Sequence, residues 1–186
     1  MSLTYSSMLP LGTKLIAFEL IDTVSEKNFS SDEFEISKPT LIMFICNHCP
    51  YVKAVTKDIV EDCKKLKEIG INSVAICAND AENYPEDSYE NMIIFAKKHQ
   101  FTFPYLNDET QEIAKTYDAV CTPDFFGYNK NLELQYRGRL RELKNLIPVR
   151  DGESDLYKSM KQIAETGKGP EKQIPSAGCG IKWKNN

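Results

Sequence analysis

The sequence predicts an α/β fold, a mixed central β-sheet flanked by helices, with an N-terminal strand extension and a C-terminal tail. Three observations predict it. Leu41-Ile-Met-Phe-Ile45 is a short continuous apolar run, the kind that forms a strand buried on both faces. It leads into a long segment of helical periodicity, and strand then alternates with helix again. A hairpin and a closing helix complete an order that suits a sheet covered by helices.

The elements follow along the chain. Residues 1–38 form a lead-in in which Lys14 to Leu20 reads as a strand and the Ser/Asp/Glu-rich stretch after it as loop. Residues 41–45 are the first buried strand. A helix is expected over 50–69, because Val52, Val55, Ile59, Cys63 and Leu66 step along one helical face. Pro50 is tolerated in its first turn, where the missing N–H has no helical partner, and Gly70 stops it. Ser73 to Ala78 is the next buried strand. Asp87 followed by Glu90 resembles a capping box for a helix over 88–99, and Asp108 with Gln111 repeats the pattern before a third helix ending near Tyr117. Phe125–Tyr128 and Leu132–Arg137 read as strands joined by a turn at Asn129-Lys130-Asn131. The last helix spans 154–166, with Leu156, Met160 and Ile163 on one face and Gly167 at its end.

The chain has 186 residues, and no linker or repeat divides it. It reads as a single domain over 1–186, with 168–186, rich in Gly, Pro and Lys, as an extended tail. The net charge of −4 is interspersed and no long basic run occurs, which argues against nucleic acid as a partner. No stretch approaches the roughly 18 apolar residues of a membrane helix. The first residues show no charged segment followed by an apolar run, so no signal peptide is expected, and Met-Ser-Leu reads as a possible cloning scar. A soluble, cytoplasmic protein with no cofactor is the expectation; its six cysteines would rest as thiols.

Cys46-Asn47-His48-Cys49 carries the chemistry. The first cysteine falls at the end of a buried strand and the second at the start of a helix. The first helical turn has unpaired N–H groups and partial positive charge, which lower a thiol's pKa. Cys46, expected to be the more exposed, is assigned as the attacking sulfur. Cys49, one turn in, is the resolving one. A neighbouring His48 imidazolium would favour the thiolate and make the couple more oxidising; otherwise His48 faces solvent. Cys-x-x-Cys spacing also serves zinc, but a zinc site normally brings a second ligand pair of similar spacing, and none is present here. Cys63, on the inner helical face, and Cys77, in a buried strand, read as core residues. Cys179 lies in the tail, exposed or docked with Ile181 and Trp183 as anchors.

At this point the sequence resembles the peroxiredoxin-like branch of the alkyl hydroperoxide reductase and thiol-specific antioxidant (AhpC/TSA, redoxin) family, within the thioredoxin superfamily. The resemblance rests on Phe44-Ile-Cys-Asn-His-Cys-Pro-Tyr-Val-Lys-Ala54 and Ala78-Asn-Asp-Ala-Glu-Asn-Tyr-Pro-Glu-Asp-Ser88. It continues at Phe103-Pro-Tyr-Leu106, Asp108-Glu-Thr-Gln111, Cys121-Thr-Pro-Asp-Phe-Phe126, Tyr136-Arg-Gly-Arg139 and Pro175-Ser-Ala-Gly-Cys-Gly-Ile-Lys-Trp-Lys184. It implies a thioredoxin-like fold, oxidoreductase or antioxidant activity in redox homeostasis, and Cys46 and Cys49 as the redox pair. It also implies a cis Thr122–Pro123 bond beside that pair, with the backbone before the proline offered to a bound peptide or thiol. Asn47, His48, Pro50, Thr122, Pro123 and Cys121 would support the site, Cys121 as a third redox thiol or as packing. Arg137 and Arg139 either hold an anion or are salt-bridged. Asp80, Glu82 and Tyr84 line the site or are solvated.

Two departures stand out. Peroxiredoxins carry Pro, then Thr or Ser, then Cys; here Pro39 has the spacing from Cys46 but Met43 takes the Thr position. The segment after Arg139, Leu-Arg-Glu-Leu-Lys-Asn-Leu-Ile, lacks the acidic stretch of the branch. The leading expectation is therefore a dithiol oxidoreductase acting on protein or small-molecule disulfides and served by an electron-donor thiol system. A thiol peroxidase using Cys46 is the alternative. A non-catalytic metal-binding module using Cys46 and Cys49 with Cys121 or Cys179 is the alternative of another class.

Overall fold

The computed structural model describes residues 3–35 and 37–185. Met1 and Ser2 of the lead-in, Ile36, and Asn186 of the tail lie outside the described residues.

The strands are β1 (Leu3–Tyr5), β2 (Glu19–Asp22), β3 (Lys27–Ser30), β4 (Thr40–Phe44), β5 (Asn72–Cys77) and β6 (Tyr105–Asn107). They continue with β7 (Cys121–Thr122), β8 (Asp124–Tyr128), β9 (Leu134–Gly138), β10 (Leu143–Lys144), β11 (Ile147–Pro148) and β12 (Ala177–Gly180). The α-helices are α1 (Pro50–Glu68), α2 (Tyr89–Lys98), α3 (Glu112–Thr116) and α4 (Asp155–Thr166).

Seven strands form the central sheet in the order β3-β2-β6-β5-β4-β8-β9. It is mixed: β4 runs parallel to β5 and β5 to β6, while β8 and β9 are antiparallel additions. β4 sits between β5 and β8, and all five of its residues are buried. Its pleat divides the core. Leu41 and Met43 join Val52, Val55 and Ile59 of α1, Met92 of α2 and Leu156, Met160 and Ile163 of α4 on one face. Ile42 and Phe44 join Val74, Ile76, Leu106, Tyr117 and Phe126 on the other. Alternate β4 side chains thus enter opposite layers, as the period of two requires.

Gly70 follows α1 with φ +78°, a left-handed conformation that costs glycine little. Ser154 caps α4 by accepting from the Tyr157 N–H, and Gly167 closes it at φ +75°.

Several boundaries differ from the sequence reading. Lys14 to Leu20 is mostly irregular; Lys14 makes one isolated bridge to Glu133, and the strand begins at Glu19. The polar stretch after it is half of a hairpin, since β3 pairs with β2 and a 3₁₀ turn follows. Long-range pairing overrides weak local β-propensity there. The α2 cap is Ser88, whose hydroxyl accepts from the Asn91 N–H, so Asp87 is not the cap. α3 is short, and Asp108 holds it by accepting from the Ala114 N–H. Within the 168–186 segment, residues 177–180 form a strand of a second sheet, ordered β1-β12-β7.

Candidate active site

The chain leaves the carboxyl end of β4 at Phe44, and Cys46 to Cys49 form the turn into α1. Cys49 is the helix N-cap and Pro50 the first helical residue. Opposite this turn, Thr122 and Pro123 join β7 to β8 through a cis peptide bond, as the resemblance implied. The Thr122 hydroxyl lies 3.3 Å from Cys46 Sγ, and the Thr122 carbonyl lies 3.3 Å from Cys49 Sγ, from which it accepts when that thiol is protonated.

Cys46 is not an exposed thiol: at 1 % exposure it is buried like Cys49 at 0 %. Nor is Cys46 the acidic one. Its thiol is raised well above the ordinary range, first by donating a hydrogen bond to the Cys49 sulfur, then by burial and by the Asp87 charge. Cys49 is lowered to about 5, first because it accepts that bond from Cys46 and, against the cost of burial, because the Cys179 thiol also donates to it. The Cys46 proton is directed at the Cys49 sulfur, which draws negative charge towards the sulfur at the head of the helix. Although Cys49 makes no complete side-chain cap bond, nearby N–H groups, Val52 among them, favour its charge. The reversal from the sequence reading has a local cause. Cys46 faces a carboxylate, while Cys49 faces two thiol donors and the helix end.

Asp87 is the carboxylate. Its Oδ1 accepts from the backbone N–H groups of Asn47 at 2.7 Å and His48 at 3.2 Å. Its Oδ2 accepts from Asn79 Nδ2 at 2.7 Å and pairs with His48 Nδ1 at 2.5 Å. Burial pushes the Asp87 carboxyl up, but bonds from His48 and Asn79 outweigh it and hold the pKa below the ordinary value. His48 is raised in turn, first by its bond to Asp87, with burial opposing. So His48 is neither a solvated imidazole nor a direct partner of Cys46. It stacks on Tyr84 with ring centroids 5.4 Å apart, and the Lys182 ammonium lies 5.7 Å from the other ring's centroid. Asn47 is also locked, donating to the Glu86 carbonyl and accepting from the Tyr105 hydroxyl at 3.0 Å.

The structure brings Cys46, Asn47, His48, Cys49, Pro50, Thr122, Pro123, Tyr84 and Cys179 together. Cys121, at 0 % exposure, is fully enclosed beside them, and burial pushes its thiol far above the ordinary range, which suits packing. Cys63 and Cys77 lie in the core, and burial pushes each up to about 12. Arg137 is enclosed in the core, paired with Asp124 at 2.8 Å and stacked on Phe126 at 3.6 Å. Arg139 pairs with Asp155 and Glu142. Both arginines therefore answer carboxylates of the chain itself. Asp80 accepts from the Glu82 N–H and the Asn83 side chain, so Asp80 and Glu82 serve their own turn. Met43 lies in the core on β4, so no hydroxyl is offered at that position.

Sequence reasoning missed Asp87, Asn79, Tyr105 and Lys182. The one local signal for Asp87 is the Asp-Ser tandem before α2: only one residue can cap, and a capping Ser88 frees the acid for another task.

Among the described residues, Cys46, His48 and Asp87 bring ligand atoms within 4.8 Å of one another. Two ligand atoms on a tetrahedral zinc, with bonds of about 2.0–2.1 Å, stand roughly 3.3 Å apart. His48 Nδ1 and Asp87 Oδ2 at 2.5 Å are at hydrogen-bonding rather than co-ligand separation. Among the described residues, no helix is long and apolar enough to cross a membrane.

A search of curated proteins gives no match. An uncharacterized conserved protein from Geobacillus kaustophilus is similar over 100 % of this chain and 98 % of its own, at 41 % identity and TM-score 0.94. A hypothetical protein from Sinorhizobium meliloti 1021 is similar over 98 % of this chain and 100 % of its own, at 33 % identity and TM-score 0.91. The thioredoxin domain of a thiol-disulfide oxidoreductase from Bacteroides vulgatus shares the fold at 15 % identity and TM-score 0.64, over 84 % of this chain and 99 % of its own. The mixed sheet, its flanking helices and the cis proline facing the helix-capping cysteine are a thioredoxin-like fold. The AhpC/TSA family model matches residues 11–142, and the chain belongs to that family of thioredoxin-like redox proteins.

Proposed function

We propose that the protein is a thiol–disulfide oxidoreductase that works through the Cys46–Cys49 dithiol on protein or small-molecule disulfides, as a single catalytic domain in a reducing cytoplasm. The observation that supports it best is geometric: both sulfurs lie at the turn from β4 into α1, opposite the cis Thr122–Pro123 bond, with Cys46 Sγ 3.3 Å from the Thr122 hydroxyl and Cys49 Sγ 3.3 Å from the Thr122 carbonyl. Cys46 attacks one sulfur of the substrate disulfide as its proton passes to the Cys49 thiolate. One substrate thiolate leaves and a mixed disulfide forms on Cys46. Cys49 then attacks the Cys46 sulfur, its proton passes to the departing substrate sulfur, and the Cys46–Cys49 disulfide remains. Two electrons have moved from the dithiol to the substrate, and a donor thiol pair restores the resting state. The Asp87 carboxylate, by holding the Asn47 and His48 N–H groups, fixes the turn that presents both sulfurs.

Insulin reduction with dithiothreitol as donor tests the reading. Turnover is expected in the wild type and lost in Cys46→Ser, and Cys49→Ser should trap a mixed disulfide on Cys46. Absence of turnover together with rapid, Cys46-dependent peroxide consumption would favour the peroxidase alternative. Near-stoichiometric metal in protein purified under reducing conditions would favour the metal-binding one.

A further inference from the structure

The C-terminal strand does more than close the fold. In β12, Cys179 stands opposite Thr122 and Gly180 opposite Cys121, so the strand is laid along the backbone that faces the redox pair. Gly178 makes this approach possible, since a Cβ there would come within 2.0 Å of the Thr122 carbonyl oxygen. On its other edge β12 pairs with β1, Cys179 opposite Leu3, so the strand is held from both sides. Cys179 is 3 % exposed, and its thiol is hydrogen-bonded to Cys49. Cys49 therefore has a thiol on each side, Cys46 within its own turn and Cys179 on a strand from the far end of the chain.

We propose that Cys179 is a third redox thiol, and that Cys49 is a hub whose disulfide shifts between Cys46 and Cys179. This rests on the dithiol reading above. Starting from the Cys46–Cys49 disulfide, the Cys179 sulfur attacks Cys49. The Cys49–Cys179 bond forms as the Cys46–Cys49 bond breaks, and the proton of Cys179 passes to the released Cys46 sulfur. No electrons are gained or lost, so no further oxidant is needed; the oxidising equivalents come from the substrate disulfide already reduced. The exchange frees Cys46 and holds the disulfide on the C-terminal strand. Burial and the bond to Cys49 keep Cys179 protonated in the resting enzyme, up to about 12, so Cys49 carries the charge until a disulfide is present.

Stoichiometric oxidation of the full chain with oxidised glutathione, followed by intact mass and tryptic mapping, tests this. In Cys46→Ser the glutathione adduct on Cys49 should be lost, leaving a peptide in which Cys49 is linked to Cys179. In Cys46→Ser/Cys179→Ser the adduct should persist. In the wild type, where no substitution can disturb folding, both Cys46–Cys49 and Cys49–Cys179 linkages should appear, with two thiols lost in either case. A persistent adduct in Cys46→Ser, with Cys179 still open to alkylation, overturns the proposal, as does a wild type linked only through Cys46–Cys49. Cys179→Ser separates the two claims. If it still forms the Cys46–Cys49 disulfide, the dithiol reading stands whatever becomes of the hub; if no such bond forms in it or in the wild type, the dithiol reading fails first.

Discussion

Replacing Asp87 by Asn removes one charge and little volume, and the structure gives the cost. The amide oxygen can keep the two backbone N–H donors, Asn47 at 2.7 Å and His48 at 3.2 Å. The amide nitrogen then meets Asn79 Nδ2, donor against donor, at a site where 2.7 Å now separates donor from acceptor. His48 Nδ1 loses its carboxylate. A buried donor left unpaired costs about 1–3 kcal/mol and a hydrogen bond to a charged group contributes about 1.5–3, so Asp87→Asn should lose roughly 2.5–6 kcal/mol. For a chain of this length that is roughly 5–24 °C in Tm.

The loss should depend on pH in a defined sense. His48 is raised, so its share of stability is full below the unfolded histidine value of about 6.5 and lost as pH rises through its folded value. Asp87 is lowered, so its share is full above about 3.9 and lost as pH falls through its folded value. The gap between wild type and variant is therefore widest between about pH 4 and 6.5. Urea unfolding of the reduced proteins at pH 6 and pH 9 measures it. A loss under about 1 kcal/mol, or equal losses at both pH values, would refute the network as described.

The remaining expectations concern residues around this network. Ser88→Ala should cost about 1 kcal/mol as a lost helix cap while leaving the thiol titration unchanged, because Ser88 rather than Asp87 caps α2. Arg137→Met should cost about 3–5 kcal/mol by leaving Asp124 buried without its partner. Burial already pushes Asp124 up to about 7 against Arg137 and would push it higher without that partner, so this deficit should shrink as pH falls towards about 7 and level off below it, which denaturant unfolding at two pH values checks. Thr122→Val removes the hydroxyl that lowers Cys46, and should raise that thiol further, so that its thiolate absorbance emerges at higher pH than in the wild type.

What was legible in the sequence followed from local physics. The run Leu41–Ile45 fits a strand with both faces covered, and β4, Thr40–Phe44, is that strand. The face of α1, the stop at Gly70, the extent of α4 with Gly167 at its end and the β8–β9 hairpin were read from spacing and turn chemistry, whereas the capping role of Ser154 came only with the structure. The missed elements depend on distant partners. β6 is three residues long and exists because it pairs with β5 and β2, and β12 exists because β1 and β7 hold it. At the site, the two cysteines were found from their spacing, but their roles in sharing a proton were not. Those depend on Asp87 beside Cys46 and Cys179 beside Cys49, from positions far away in sequence.

The sharing of that proton is tested most directly by following thiolate absorbance of the reduced protein against pH. One thiolate should appear with a midpoint near 5, as expected for Cys49. The midpoint should move up in Cys46→Ala, where the donor is gone, and the transition should vanish in Cys49→Ala. If thiolate absorbance in the wild type emerges only near the free cysteine value of about 8.5, the sulfurs do not share a proton at the helix head and the account is contradicted.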